Sequence, residues 1–502
     1  MSNASVERLE AKSREITWLA HILAVLGYDQ ETMMPSKGAP ERGEQMAVIS
    51  GLLHDRVVDP GLGKLVEELW AKRDSLSPEA QANVRELRRS HLRSRKVPKE
   101  LVEEIARTQP LAHEAWIKAR KASDFASFAP WLEKMFDLKR READAIGFEA
   151  DRYDALLDQY EPGMTVARLN PLFEQLRKDL VPIVHAIAAA PRRPDESLLT
   201  RRVPQEQQVA LCLGLARSMG FDTEGGRMDV STHPFCSTLG SGDVRITNRY
   251  NEGEPLASFF GVMHETGHAL YEQGIDPANH GLPMGEAVSL GIHESQSRTW
   301  ENMVGRGRPF WKHFYPTLQK AWSPAYDGVD PEAFYFAVNT VRPSMIRVEA
   351  DEVTYNLHIL VRYEIERDLF AGRLAVKDLP SAWNGRMKEY LGIKPKNDAE
   401  GVLQDIHWSS GLIGYFPTYT LGNLYGAQIF DAVRRQIPDL DARIGRGDLE
   451  TLREWLREKV HRHGMRWLPA DLVREVTGQE PDASYYMRYL REKFGPLYGI
   501  QA

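Results

Sequence analysis

The stretch V-M-H-E-T-G-H-A-L-Y-E, Val262–Glu272, sets two histidines four residues apart with a glutamate directly after the first. Wound as a helix, it stacks His264 and His268 on one face, because positions four apart lie one above the other. Both rings can then offer a nitrogen to a single ion. Glu265 falls about 100° around the axis from His264, near enough to hold a water on that ion without ligating it. Gly267 is small where something must approach closely. A helix with two imidazoles satisfied by ordinary contacts would read the same in this window, so the surroundings have to decide.

A catalytic zinc site takes three protein ligands and keeps one position open. The next helical pattern, M-G-E-A-V-S-L-G-I-H-E-S-Q-S-R-T-W (Met284–Trp300), offers Glu286, His293 and Glu294 as the third. Glu294 leads, because a carboxylate completes the two-His, one-Glu set of zinc peptidases. His293, about 100° away, would then stand behind the ligands. Glu286, a little over two turns earlier, could do the same or be an ordinary first-turn carboxylate.

Around this region the chain reads as mostly α with one small sheet. Helical stripes recur at Ile16, Leu19, Ala20 and Leu23, from Leu65 to Trp70 and from Leu101 to Trp116. A-A-A-P-R-R-P-D-E-S (Ala188–Ser197) is the clearest linker and sets a soft boundary between residues 1–195 and 196–502. One helix, roughly Gln205 to Met219, precedes a hairpin candidate at Ser231–Tyr250 with a Gly-Ser-Gly turn. Helical patterns resume at about Pro255.

The 502 residues suffice for two or three domains or one large enzyme domain, with an ordinary globular composition of 42% hydrophobic and 27% charged residues. A net charge of −7 argues against nucleic acid or an anionic membrane as the main partner. The basic run Arg85–Lys96 reads as a solvated helix face, with no interleaved aromatics for stacking bases. Cys212 and Cys236 make no disulfide framework and fit a reducing compartment. The N-terminus has no apolar core of a signal peptide, and the apolar stretch Trp18–Tyr28 is too short to cross a bilayer. The expectation is a cytoplasmic protein.

Three further clusters are rich in polar groups. D-V-R-I-T (Asp243–Thr247) puts Asp243, Arg245 and Thr247 on one face of a strand. It reads as an edge strand able to pair with an extended peptide, or as a surface strand with an internal ion pair. I-R-V-E-A-D (Ile346–Asp351) places Arg347 and Asp351 four apart on a helix. They form either a salt bridge or a clamp for a substrate carboxylate. Gly401–Gly422 gathers Gln404, Asp405, His407, Tyr415 and Tyr419, and a histidine and a tyrosine there are natural donors to a developing oxyanion.

Six motifs stand in order along the chain. They are H-P-F (His233–Phe235), D-x-R-x-T (Asp243–Thr247), H-E-x-x-H (His264–His268), H-E-S-Q (His293–Gln296), I-R-x-x-A-D (Ile346–Asp351) and G-x-x-Q-D-x-H-W (Gly401–Trp408). With them the chain resembles the carboxypeptidase Taq family of thermostable metallocarboxypeptidases over essentially its whole length. L-G-Y-D-Q-E-T-M-M-P (Leu26–Pro35) resembles that family's opening W-D-Q-E-T-x-M-P, with Gly27 and Tyr28 where Ser-Trp is usual.

The resemblance implies a mainly α, large helical neurolysin-like and angiotensin-converting-enzyme-like fold with a deep cleft, roofed by the N-terminal helices. It implies one zinc per chain, with cobalt as a possible substitute, on His264, His268 and Glu294, and Glu265 as general base. It extends active-site roles to His233, Arg347, His407 and Tyr415, with Tyr419 competing for the oxyanion. Arg245 would assist Arg347, and the strand carrying Asp243 would align the peptide. Homodimers are usual in the family. The expected activity is release of C-terminal amino acids from short peptides. An oligopeptidase cutting inside peptides, and more distantly a non-enzymatic metal-binding protein, are the rival readings.

Overall fold

The computed structural model describes residues 2–500. The chain opens with α1 (Ser2–Thr32), α2 (Ala39–Val57), α3 (Pro60–Trp70), α4 (Pro78–Lys96), α5 (Lys99–Ala122) and α6 (Phe125–Ile146). Proline at the first turn needs no hydrogen-bond acceptor, so it starts helices well. Asp59 caps α3 ahead of Pro60, and Ser77 caps α4 ahead of Pro78. Leu9, Leu62, Leu65, Val66, Leu69, Val84 and Leu87 form a small core of their own within this layer. Of the stripe at Ile16–Leu23, Ile16, Leu19 and Leu23 are part-buried and Ala20 is exposed, as are Trp18, Ile22 and Val25 beside it.

The basic run on α4 corrects the expectation of a solvated face. Arg85 donates to the Met465 carbonyl at 2.7 Å, Arg93 to that of Ala155 at 2.7 Å and Lys96 to that of Ile146 at 2.7 Å. Buried Glu86 sits between Arg85 and Arg89. Carbonyls left unpaired at helix ends and turns need donors, and this row of long side chains supplies them.

Next come α7 (Asp154–Leu157), α8 (Val166–Ala189) and α9 (Gln205–Met219). The main hydrophobic core runs across the Ala188–Ser197 segment, holding Leu132 and Phe173 together with Phe259 and Tyr498. Strands β1 (Gly226–Val230), β2 (Cys236–Gly240) and β3 (Asp243–Asn248) then make the one sheet, in the order β1-β3-β2. β2 and β3 form the expected antiparallel hairpin, with Ser237 opposite Arg245.

β1 adds in parallel on the other side of β3, with Arg227 opposite Arg245. Asp243–Thr247 is therefore the central strand and not an edge. Its backbone donors and acceptors are taken on both sides, so pairing with a peptide would fall to β1 or β2. The polar composition of β1 hid it from the alternation test.

The rest is helical: α10 (Pro255–Gly274), α11 (Leu290–Arg298), α12 (Arg308–Ala321), α13 (Pro331–Val338), α14 (Tyr355–Phe370), α15 (Leu379–Leu391), α16 (Pro417–Gln436), α17 (Leu440–Ile444), α18 (Glu450–Lys459), α19 (Pro469–Thr477) and α20 (Ser484–Tyr498). Helix α11 is shorter than its sequence pattern. Glu286 is extended at φ −120° and ψ 154°, and the helix starts only after the Ser289 cap. At its other end α11 passes into a π-helical turn, Thr299–Gly305. Among the described residues no helix is long and apolar enough to cross a membrane.

Candidate active site

Helix α10 carries His264, Glu265 and His268; α11 carries His293 and Glu294. Two glycines set how closely their helices meet. A Cβ on Gly267 would stand 2.7 Å from the Ser297 Cα, and one on Gly422 of α16 would stand 2.5 Å from the Glu294 Cγ. Glu294 is thus wedged between α10 and α16 with its carboxylate turned to the two histidines. At the start of α11, buried Glu161 accepts the Gly291 N–H at 3.0 Å and the Tyr425 hydroxyl at 3.1 Å, anchoring the helix.

Nε2 of His264 lies 3.5 Å and Nε2 of His268 lies 3.4 Å from Oε2 of Glu294. Ligands about 2.0–2.1 Å from a tetrahedral ion are about 3.3–3.4 Å apart, so this triangle suits one small divalent cation. All three ligand atoms lie within 4.8 Å of one another. Nδ1 of His264 meets the Glu301 carboxylate at 2.9 Å. A carboxylate can only accept, so Nδ1 carries a hydrogen. Against burial, Glu294 and then Glu301 raise the pKa of this ring, and a cation would take the place of any hydrogen on Nε2. Nδ1 of His268 meets Nδ1 of His293, whose Nε2 lies 2.8 Å from Glu272. Burial, then the neighbouring His293, pushes His268 down to about 3, leaving it in the neutral form that a ligand needs.

Glu294 keeps Oε1 for Arg298, 2.7 Å away, which also reaches Glu301 at 3.2 Å. Against burial, Arg298 and His264 hold Glu301 at about 2. Of the three candidates for third ligand, only Glu294 faces the histidines. His293 stands behind His268, and Glu286 lies off the helix, where burial pushes it up to about 7. Glu265 is buried beside the triangle, and burial pushes it too up to about 7. A cation on the three ligands would favour its ionised form again.

A second cluster adjoins. Arg347 opens a 3-10 turn, Arg347–Glu349, and does not pair with Asp351. That corrects the Arg347–Asp351 pairing on which both readings of the four-residue spacing relied, since it required a continuous α-helix; the acid behind Arg347 is a different one. Asp351 instead accepts the N–H groups of Arg342, Val353 and Thr354. The partner of Arg347 is Asp405, at 2.9 Å, which also takes Arg362 at 2.6 Å. Arg347 Nη1 donates to the Tyr355 hydroxyl at 3.0 Å, and its guanidinium lies 5.1 Å from the Tyr419 ring centre.

Arg298 lies over the other tyrosine ring, 4.7 Å from Tyr355. Contacts therefore run unbroken from Glu294 through Arg298 and Tyr355 to Arg347. His407 Nε2 is 3.4 Å from the Tyr419 hydroxyl, and Tyr415 packs against both rings at 5.4 Å. Burial pushes His407 down to about 3, so it is neutral. Burial, then the charge of Glu294, raises Tyr415.

The third predicted group stands apart from these. Arg245 is held by both oxygens of Asp243, each at 2.7 Å, and lies 5.1 Å from the Tyr28 ring centre. Tyr28 in turn donates to Asp229 at 2.6 Å, tying α1 to β1. His233 is exposed in the β1–β2 connection. Sequence reasoning missed Glu272, Arg298, Glu301, Tyr355 and Arg362. Arg298 and Glu301 had a signal, lying four and seven residues after Glu294 on the same helical face; Tyr355 and Arg362 had none.

Fold and donor set together define a helical metallopeptidase: a His-x-x-x-His helix completed by a glutamate from the next helix. The family model described as carboxypeptidase Taq (M32) metallopeptidase matches residues 8–494. The chain is 44% identical to thermostable carboxypeptidase 1 of Thermus thermophilus, with 99% of each covered. It is 39% identical to carboxypeptidase 1 of Bacillus subtilis, with 97% of each covered. The solved M32 carboxypeptidase of Deinococcus radiodurans superposes with a TM-score of 0.96 at 41% identity, covering 99% of this chain and 100% of that one. The protein belongs to the carboxypeptidase Taq (M32) metallopeptidase family.

Proposed function

We propose that the protein is a zinc carboxypeptidase that releases the C-terminal residue of short peptides, with one ion held by His264, His268 and Glu294. The observation that carries this reading is the convergence of two imidazole Nε2 atoms on one carboxylate oxygen, at 3.5 and 3.4 Å. When bound, zinc supplies the Lewis acidity that lowers the pKa of a water to about 7 and polarises the scissile carbonyl. Cobalt fits the same donors.

The chain's own residues do the rest. Glu265 takes the proton of the attacking water and passes it to the leaving amine. Neutral His407 and the hydroxyls of Tyr415 and Tyr419 are the donors for the oxyanion. Arg347, with Nε on Asp405 and Nη1 on Tyr355, presents its remaining edge to the terminal carboxylate. Asp405, shared with Arg362, offsets part of its charge and leaves the pair of arginines net positive for an incoming carboxylate. His233 and the Asp243–Arg245 pair bound the peptide channel on the side of the sheet. Support for that placement comes from Cys236 on β2, whose thiol is raised by burial and then by the charges of Glu272 and Glu265 on α10.

The functional unit is a cytoplasmic homodimer. Its support is that α2 buries none of its residues and that Trp18, Ile22, Val25, Val48 and Leu52 of the α1–α2 pair are exposed. The test is mass spectrometry of a peptide digested with and without chelator. A chelator-sensitive ladder shortened one residue at a time from the C-terminus is expected. Internal cuts, or a ladder indifferent to chelator, would overturn the reading.

A further inference from the structure

Glu272 sits in the last turns of α10, four residues after His268. Among the described residues its carboxylate meets no lysine or arginine; its partner is His293, with Nε2 at 2.8 Å. Both side chains are largely withdrawn from solvent, 11% and 19% exposed. This carboxylate therefore answers to a histidine and not to an ion-pair network.

Hydrogen placement follows from what each atom can do. The carboxylate of Glu272 accepts, so His293 carries its hydrogen on Nε2. With a cation on Nε2 of His268, the hydrogen of that ring is on Nδ1, so Nδ1 of His293 meets it with a lone pair. Were the hydrogen of His293 on Nδ1, two N–H groups would point at each other. His268 could relieve that only by moving its hydrogen to Nε2, the ligand atom.

We propose that Glu272 is a positioning residue of the metal centre, fixing the hydrogen of His293 on Nε2 and, through His293, that of His268 on Nδ1. His264 is secured directly by Glu301, so the two histidine ligands are held by separate devices. Partners behind a ligand set its tautomer and orientation, and losing one lowers metal affinity by about 10–100-fold. This inference rests on the reading of the metal centre given above.

The test measures zinc affinity by chelator competition in the full-length wild type, Glu272→Ala and Glu272→Gln. It also reads the ¹⁵N shifts of His268 and His293 in the zinc-free wild type. Glu272→Ala should bind zinc about 10–100-fold more weakly, while Glu272→Gln, whose amide oxygen still accepts, should stay within about three-fold. The wild-type spectra should show His268 as the Nδ1–H form and His293 as the Nε2–H form.

Equal binding by Glu272→Ala and wild type would overturn the relay and leave the metal centre standing. Equal loss in both variants would overturn it too, since charge and not hydrogen placement would then be at work. Should Glu272→Ala not fold, the wild-type spectra decide alone: either histidine in the opposite form sinks the proposal. A wild type that binds no zinc at all removes the metal centre and the relay together.

Discussion

Glu301 holds His264 from behind at 2.9 Å, and it does so from a π-helical turn seven residues beyond Glu294. One glutamate of this stretch thus faces the ligand side of the histidines, and the other supports the far side of one ring. A π turn inserts an extra residue per turn and is frequent at functional sites. Glu301→Ala should keep the fold and weaken zinc binding by about 10–100-fold. Chelator competition checks this, and wild-type affinity would show that Glu301 serves only Arg298 and Arg306.

Glu265 is buried beside the ligand triangle but contributes no atom to it. Glu265→Gln should therefore retain zinc and lose turnover by about 10²–10⁴-fold, the usual contribution of a general base. Zinc content and kcat measured on the same preparation check this. Full activity would remove Glu265 as the base.

Arg347 has the geometry of a carboxylate clamp, so its loss should discriminate between substrates. Arg347→Ala should lower kcat/KM for free-acid peptides by about 2–5 kcal/mol, the effect of truncating a buried charge pair. C-terminally amidated peptides, already poor, should lose far less. Equal losses on both would show that Arg347 only balances Asp405.

Gly422 has no room for a side chain, since its Cβ would press on the Glu294 Cγ at 2.5 Å. Gly422→Ala should destabilise the protein by about 1–3 kcal/mol through overpacking and weaken zinc binding as Glu294 shifts. Gly385, inside α15 with nothing within 4 Å, is the control. Gly385→Ala should stabilise by about 0.5–1 kcal/mol and leave zinc binding alone. Urea midpoints of both variants separate the two effects.

His461 is buried with Nε2 on Gln296 at 2.9 Å, and burial pushes it down to about 3. Between that value and the unfolded value of about 6.5, the unfolded chain binds one more proton than the folded one. The stability due to neutral His461 is thus present above pH 6.5 and is lost as pH falls towards 3. The zinc-free wild type should lose stability faster than His461→Gln over that range, by up to about 1.4 kcal/mol per pH unit. Groups shared by both proteins cancel, including Glu161 and Glu366, which burial pushes up to about 7 and which titrate in the opposite sense. Parallel urea midpoints from pH 7.5 to 4.5 would refute the assignment.

What could be read directly from the chain was whatever a single element decides. Helical winding alone puts His264 and His268 on one face, so the pair was legible before any fold was known. The mostly helical class, the β2–β3 hairpin and the helix Gln205–Met219 were legible for the same reason, because each shows in local periodicity. Local spacing misled where the backbone left the assumed geometry: Arg347 lies in a 3-10 turn and Glu286 in an extended segment.

Tertiary structure decided everything that depends on how elements lie against one another. It made β3 the central strand by adding β1, a strand with no alternation to announce it. It gave Arg347 to Asp405, far along the chain, and it aligned Glu272, His293 and His268. Among three candidate ligands it turned only Glu294 towards the histidines, because Gly267 and Gly422 let three helices close to contact distance around that one side chain. Periodicity is a property of one helix, whereas the meeting of atoms from different helices depends on packing, which no single window of sequence contains.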